Sequence, residues 1–363
     1  MAARIFRFIF LLCTVPFFFG CITVFYPLDP QREESPHYRD GRYQNLYDDS
    51  AIVEKGFHTF LYWKLFGDVD PPAVEPLPQD PPEVKLLTKD DFYPPEGTLR
   101  ILWLGHSTTW LAATVNGRTH HLVMDPVLGD VITRPRISRL PLNKEDLPSA
   151  DVVLVSHAHR DHLDIESLQF FARRNNATVF LLPSGMTLWA QEEGLNSIVQ
   201  EWWDRTKAGP FEVQYMPAQH WSKMGLNDTM QYHWGSYWIR IGNRNVFFAG
   251  DTAFSPHFQD IRHRREENLD LAIMPIGAFK PRWFMKAAHI DPPEALQASR
   301  VLGAARMVPV HWGTFGLGDD RPMESLLFLK AILEQRSPEA MPEVVAWTPG
   351  QFIDLTLDNL NSD

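Results

Sequence analysis

Cysteine is nearly missing from this sequence. Cys13 and Cys21 are the only two in 363 residues, and both fall in the first apolar segment. The rest of the chain therefore has no disulfide framework and no thiolate zinc site. Any metal centre there must be built from nitrogen and oxygen donors. Basic charge is also short: 34 Lys and Arg stand against 45 Asp and Glu, a formal net charge of −11. A broad nucleic-acid surface needs a basic face, so none is expected, although a local basic pocket for a phosphate-bearing substrate remains compatible. There is no internal repeat and no long low-complexity run.

Long hydrophobic runs are scarce too. One stands out: Phe8 to Tyr26, a 19-residue uncharged stretch behind Arg4 and Arg7. It reads as a signal sequence or a membrane anchor. Gly20-Cys21 suits a bacterial lipoprotein cleavage site, while Phe18-Phe19 departs from that pattern. Arginines before the span and acidic residues after it favour export of the remainder. The expected organisation is a signal, lipoprotein or anchor segment at 1–30, an N-terminal extension at 31–97 and a catalytic-sized domain at 98–355. The expected location is membrane-associated and exported, with a cytoplasmic peripheral protein as the alternative. Within the extension, His58 to Asp68 is rich in aromatics and is expected to pack on the core rather than on lipid. Asp68 to Val84 carries six prolines and reads as an extended linker or surface-wrapping arm.

What is present is histidine in a pattern. Ser156 to Asp164, SHAHRDHLD, packs three histidines and two aspartates behind the valine-rich run DVVLV. Single histidines mean little in a chain with 14 of them. H-x-H-x-D-H supplies imidazole and carboxylate, the ligand types that suit zinc and similar ions. One strand end cannot complete a site, so partners are needed elsewhere.

From Thr98 onward, short apolar runs alternate with helical patterns. TLRILWLGHS, THHLVMDP, DVVLVSH, TVFLLPS, FEVQYMPAQH, DLAIMPIGAF and RMVPVHWG read as strands, and SYWIRIGNRNVFFAGD reads as a hairpin turning at Gly242-Asn243. LDIESLQFFARR reads as a helix capped by Asp164, and DPPEALQASRVLG as a helix with prolines in its first turn. Five apolar runs end in a metal-capable residue or cluster: His106, the His157 group, His220, Asp251 and His311. Strand ends gather at a common sheet edge. Six or seven such donors exceed one tetrahedral ion and suit two ions about 3.5–4 Å apart that share a carboxylate.

With Asp125 before it and His220, Asp251 and His311 after it, the motif His157-x-His159-x-Asp161-His162 resembles the metallo-β-lactamase superfamily. PAQHWSK, HWGSYWI, FFAGDTAFSPHF, MPIGAFKPRWFMKAAHIDPPEA and VPVHWGTF are similar to the N-acyl-phosphatidylethanolamine-hydrolysing phospholipase D family, over roughly Arg42 to Arg321. The resemblance implies an α/β αββα sandwich, two mixed sheets face to face with helices outside. It implies two Zn²⁺, or other divalent metals. His157, His159 and His220 would hold one ion and Asp161, His162 and His311 the other. Asp251 would bridge them, and Asp125 would orient the histidine loop. His289 is the expected leaving-group residue, and Asp161 is counted as catalytic as well as ligating. Lys280, Arg282, Lys286 and His106 are the expected substrate-binding residues. The implied activity is hydrolysis of N-acyl-phosphatidylethanolamine-like phospholipids to N-acylethanolamine and phosphatidate, with phospholipid and membrane as partners, no nucleic acid, and a homodimer. The alternatives are a lactonase or carboxylic-ester hydrolase on the same site, and a non-catalytic membrane-associated binding protein. A di-iron oxidoreductase of this fold would carry Glu at position 159.

Overall fold

The computed structural model describes residues 26, 28–53, 56–67, 70–78, 80–131, 134–335 and 341–358. The expected N-terminal segment lies outside the described residues, apart from Tyr26, Leu28, Asp29 and Pro30. Among the described residues, no helix is long and apolar enough to cross a membrane.

A small hairpin, β1 (Tyr38–Arg39) and β2 (Arg42–Tyr43), precedes helices α1 (Ser50–Val53) and α2 (Phe57–Phe66). Then follow β3 (Thr98–Gly105), β4 (Thr108–Val115), β5 (Arg118–Met124), β6 (Val152–Leu154), α3 (Ile165–Arg174), β7 (Val179–Pro183), α4 (Thr187–Glu192) and β8 (Ser197–Gln200). The second half supplies β9 (Arg205–Ala208), β10 (Phe211–Met216), β11 (Ser236–Ile241), β12 (Arg244–Phe248), α5 (His257–Arg264) and β13 (Leu269–Pro275). It ends with α6 (Arg282–Met285), α7 (Pro292–Leu302), β14 (Ala304–Val310), α8 (Glu324–Glu334), β15 (Glu343–Val344) and β16 (Phe352–Thr356). The strands form two seven-stranded sheets, ordered β16-β3-β4-β5-β6-β7-β8 and β15-β14-β13-β12-β11-β10-β9. Both are mixed, with β5 to β8 and β12 to β15 running parallel.

Alternation along each strand assigns the layers, because successive side chains point to opposite faces. Leu99, Ile101, Trp103, Leu111, Leu122, Met124, Leu154 and Leu181 share one core with Tyr237, Ile239, Phe248 and Ile273 of the other sheet. Leu102, Leu104, Trp110, Val123, Val153 and Phe180 turn the other way, onto Leu168 and Phe171 of α3 and Trp189 of α4. Parallel strands buried on both faces need such double covering. α7 covers the second sheet on its outer side against β13 and β14, flanked by α5 and α8. The αββα sandwich is therefore present.

Local signals behave as their chemistry requires. Asp164 Oδ2 accepts from Ser167 N at 3.1 Å and starts α3. Asp291 and Glu294 form a capping box at α7, behind Pro292 and Pro293. β11 and β12 pair with Ile241 opposite Arg244, which leaves Gly242-Asn243 as the two-residue turn. The proline-rich segment wraps the domain: Asp70 Oδ2 accepts from Arg282 N, Glu324 Oε1 accepts from Ala73 N, and Lys85 N donates to Pro349 O. The final strand β16 pairs with β3 and ends at Thr356, one residue past the expected boundary.

Candidate metal centre

Each expected donor stands just beyond a strand. β3 leads to His106, β5 to Asp125, β6 to His157, β10 to His220, β12 to Asp251 and β14 to His311. Turning the chain there needs special backbone. Gly250 has φ +59°, and a Cβ on it would come within 2.6 Å of Ser156 Cβ. Gly277 admits no side chain either, because a Cβ would lie 2.0 Å from His311 O. His106, Asp125 and His311 themselves adopt φ of 50°, 42° and 67°. Left-handed backbone is uncommon outside glycine and clusters at functional sites.

Two groups of donors form. In the first, His159 Nδ1 lies 2.8 Å from His157 Nε2 and 3.2 Å from His220 Nε2. In the second, His162 Nε2 lies 3.3 Å from His311 Nε2 and 3.5 Å from Asp161 Oδ2. Asp251 stands between them. Its Oδ2 is 3.8 Å from His220 Nε2 and 3.2 Å from His162 Nε2, and its Oδ1 is 3.1 Å from His311 Nε2.

Hydrogen bonds behind the donors decide which nitrogens face inward. His220 Nδ1 donates to Ala288 O at 2.8 Å. Ser156 Oγ gives its proton to Asp125 Oδ2 at 2.6 Å, so it accepts from His157 Nδ1 at 2.9 Å. His162 Nδ1 donates to the same Asp125 Oδ2 at 2.6 Å. The Nε2 atoms of His157, His162 and His220 are thus left as lone pairs in the neutral rings. His157 Nε2 and His220 Nε2 both point at His159 Nδ1, and one N–H there cannot serve two lone pairs. A cation between them satisfies all three. The donor set fits a metal.

Protonation agrees with this for His157, His159 and His220 and differs for His162 and His311. Burial pushes His157 well down, His159 to about 4 and His220 to about 3, which holds them as the neutral form that ligates. Burial acts downward on His162 and His311 too, but the Asp251 and Asp161 carboxylates outweigh it, raising His162 well above the ordinary range and His311 to about 9. Burial would raise Asp161 and Asp251, but the surrounding histidines, His162 foremost, hold both well below the usual carboxylate range. Left to protons alone, the centre offsets its carboxylates by charging two histidines. Divalent cations would displace those protons.

The centre opens on a cavity of about 630 Å³. His159, Asp161, Asp251 and His289 reach it from the protein side. Ile52, Phe60, Trp63, Phe284, Met285 and Leu317 make an apolar wall. Among the described residues, its cations are Lys223 and Arg42, the latter 3.4 Å from Asp49 Oδ2. His289 Nδ1 is 3.7 Å from Asp251 Oδ2 and also falls in a group with His220 and Asp251 that could itself hold an ion. Burial takes His289 to about 3.

Several expectations about substrate contacts do not survive. Lys280 is 4% exposed and is tied to Glu324 Oε1 and the Pro71 carbonyl, so it cannot meet a phosphate. Arg282 is held by Glu294 Oε2 at 2.9 Å and donates to His289 O at 2.9 Å. Lys286 is exposed and outside the cavity lining. His106 is 1% exposed, and its Nε2 sits 3.1 Å from Asp161 Oδ2, behind the second donor group. Buried there, it does not touch substrate, and it joins Asp161, His162 and His311 in a group whose side chains could together hold an ion. The aromatic stretch divides. Trp63 packs on Ala278 and Met285, while Tyr62 and Phe66 of the same helix stay outside at 56% and 62% exposure.

Arg42, Ile52, Phe60 and Trp63 were not expected at the site. They come from the N-terminal extension, and nothing in their local sequence marks them. Lys223 had a signal, since it lies three residues beyond His220 in PAQHWSK.

Comparison with known proteins matches residues 120–312 to the beta-lactamase superfamily domain. The chain is 34% identical over 250 residues to N-acyl-phosphatidylethanolamine-hydrolyzing phospholipase D 1 of Caenorhabditis elegans, covering 64% of this chain and 68% of that protein. It is 31% identical over 239 residues to the mitochondrial N-acyl-phosphatidylethanolamine-hydrolyzing phospholipase D of Saccharomyces cerevisiae, covering 61% of this chain and 51% of that protein, about half its length. A metallo hydrolase from the archaeon Ignicoccus hospitalis shares the fold, with a TM-score of 0.53 and 22% identity, covering 72% of this chain and 100% of that one.

Proposed function

This chain is a metal-dependent hydrolase belonging to the metallo-β-lactamase superfamily, and on that premise we propose that it is a two-zinc phosphodiesterase of phospholipase D type. The proposed substrates are N-acyl-phosphatidylethanolamine-like lipids, cleaved to N-acylethanolamine and phosphatidate. One observation carries the reading: metal donors, two cations and an apolar wall share one cavity. Binding cavities of this kind combine an apolar lining with a few placed polar groups. A phosphodiester would meet Arg42 and Lys223, and acyl chains would lie along Ile52, Phe60, Trp63, Phe284 and Leu317.

His157, His159 and His220 would hold one ion, Asp161, His162 and His311 the other, with Asp251 shared. Bound, the ions would supply Lewis acidity at the phosphoryl oxygens and a nucleophile available at neutral pH. Asp125 fixes the tautomers of His157 and His162, as partners of metal-bound histidines generally do. His106 holds Asp161. His289 faces the cavity and, being neutral, would take the proton of the attacking water and return it to the leaving alkoxide. Phe60 lines the cavity and is exposed, and the exposed Trp283, Tyr62 and Phe66 continue from the lining residue Phe284 through ring contacts of 5.6, 6.1 and 6.2 Å. Tyr and Trp favour the membrane–water interface, so this rim would rest on lipid.

The test is turnover by the full chain, loaded with zinc, on detergent micelles containing N-acyl-phosphatidylethanolamine, beside a panel of lactones and carboxylic esters. Release of N-acylethanolamine and phosphatidate is expected. Turnover of lactones alone would move the reading to carboxylic esters. No turnover by folded, zinc-loaded protein would remove both.

A further inference from the structure

His220 is fully buried, and it lies past the end of β10, where no strand pairs with its backbone. A buried backbone N–H and C=O must still find partners. Both find one side chain. Asn45 Oδ1 accepts from His220 N at 3.0 Å, and Asn45 Nδ2 donates to His220 O at 2.9 Å. The amide thus binds the residue as a neighbouring strand would. Its orientation is fixed, because Trp234 Nε1 also donates to Asn45 Oδ1, at 2.9 Å. A flipped amide would face two donors with a third and leave the carbonyl unpaired.

Asn45 belongs to the extension, 175 residues from His220 in the chain. The surrounding arm is anchored by other bonds: Tyr43 Oη with Ser184 Oγ at 2.7 Å, Tyr47 Oη to Asp260 Oδ2 at 2.5 Å, and Gln219 Nε2 to Asp48 O at 2.9 Å. On the other side, Ala288 O takes the His220 Nδ1 proton. Backbone and ring are therefore fixed by separate groups, and only the Nε2 lone pair is left to point at His159 Nδ1 and Asp251.

We infer that Asn45 is a positioning residue for the metal donor His220, so that the N-terminal extension forms part of the metal centre. The inference rests on reading His220 as a ligand. Outer groups that orient ligands change metal affinity by about 10- to 100-fold when removed.

The experiment uses the full chain and four variants: Asn45→Ala, Asn45→Leu, Tyr43→Phe and His220→Ala. Zinc affinity is read by competition with a chromophoric chelator. Exchange of the His220 amide proton is read on metal-free protein, and folding by circular dichroism. Asn45→Ala should weaken zinc at one site by about 10-fold or more and speed His220 amide exchange, with the fold retained. Asn45→Leu restores volume without hydrogen bonds and should behave like Asn45→Ala. Tyr43→Phe loosens the arm without touching His220 and should leave affinity unchanged. Unchanged affinity and exchange in Asn45→Ala would overturn the inference. So would recovery in Asn45→Leu, or an equal loss in Tyr43→Phe. If His220→Ala itself keeps both zincs, the ligand reading falls, and the inference with it. If His220→Ala loses zinc and Asn45→Ala does not, only the inference falls.

Discussion

Asp125 Oδ2 accepts two protons at 2.6 Å, one from His162 Nδ1 and one from Ser156 Oγ, which in turn accepts from His157 Nδ1. A single buried carboxylate thereby sets the tautomer of one histidine in each donor group. Asp125→Ala should lower zinc affinity at both sites, by about 10- to 100-fold. Chelator competition on folded protein would check this. Loss confined to the His162 site would show that the route through Ser156 does not act.

His289 and His311 both approach Asp251, but only His311 also faces His162 and Asp161. His289→Ala should keep about two zincs per chain and lose turnover, whereas His220→Ala and His311→Ala should lose metal. If His289→Ala is stripped of zinc as His311→Ala is, His289 is a ligand and another group serves the leaving alkoxide.

Asp251 touches both donor groups. Asp251→Asn keeps its size but removes the charge that offsets two dications, so weakened binding at both sites is expected. Turnover should fall about 100-fold or more. Zinc content, circular dichroism and turnover on one preparation are the measurements. Near-normal turnover with two zincs would leave the two-metal reading without its shared ligand.

Two lysines should behave oppositely. Lys280 is buried against Glu324, so Lys280→Ala strands a carboxylate and should cost about 3–5 kcal/mol of stability, read by denaturant unfolding. Lys223 is exposed at the cavity, so Lys223→Ala should leave stability alone and raise KM for phosphodiesters. A raised KM with Lys280→Ala at wild-type stability would return the phosphate role to Lys280.

His121 should carry one share of the acid sensitivity, beside the other histidines that burial holds neutral. Trp110 Nε1 donates to its Nδ1 at 3.1 Å, which requires that nitrogen unprotonated. Burial pushes its pKa from 6.5 to about 4, with Asp151 opposing. The unfolded chain therefore binds this proton first as pH falls. Its contribution is whole above about 6.5 and drains away towards 4. Between pH 7 and 5 that is about 1–2 kcal/mol. The denaturant midpoint should drop more over this interval for the unaltered protein than for His121→Gln. Equal drops would remove His121 from the acid response.

The candidate donors were legible because most sit a few residues beyond an apolar run, and strand ends meet at one edge. β4 carries little strand signal because its start, Thr108-Thr109, looks like a polar turn, although both residues are buried. β9 and β15 are short edge strands with exposed alternate positions, which gives little pattern to read. The cations were misjudged for a different reason. Whether Lys280 is free depends on Glu324 and Pro71, which only tertiary packing brings to it. Asn45 was silent for the same reason, since nothing near it in the chain hints at His220.

His106, Asp125 and His311 each hold a left-handed backbone that a branched or polar residue adopts at a cost of about 1–3 kcal/mol. Glycine would relax all three turns and could neither bind a metal nor orient one. At these positions selection for folding and selection for chemistry pull in opposite directions, leaving local frustration inside an otherwise consistent fold. A design that optimised this backbone for stability alone would erase the centre first, and the change in melting temperature of glycine variants at these three positions, set against the buried hydrogen bonds each loses, would measure how strongly the two demands conflict.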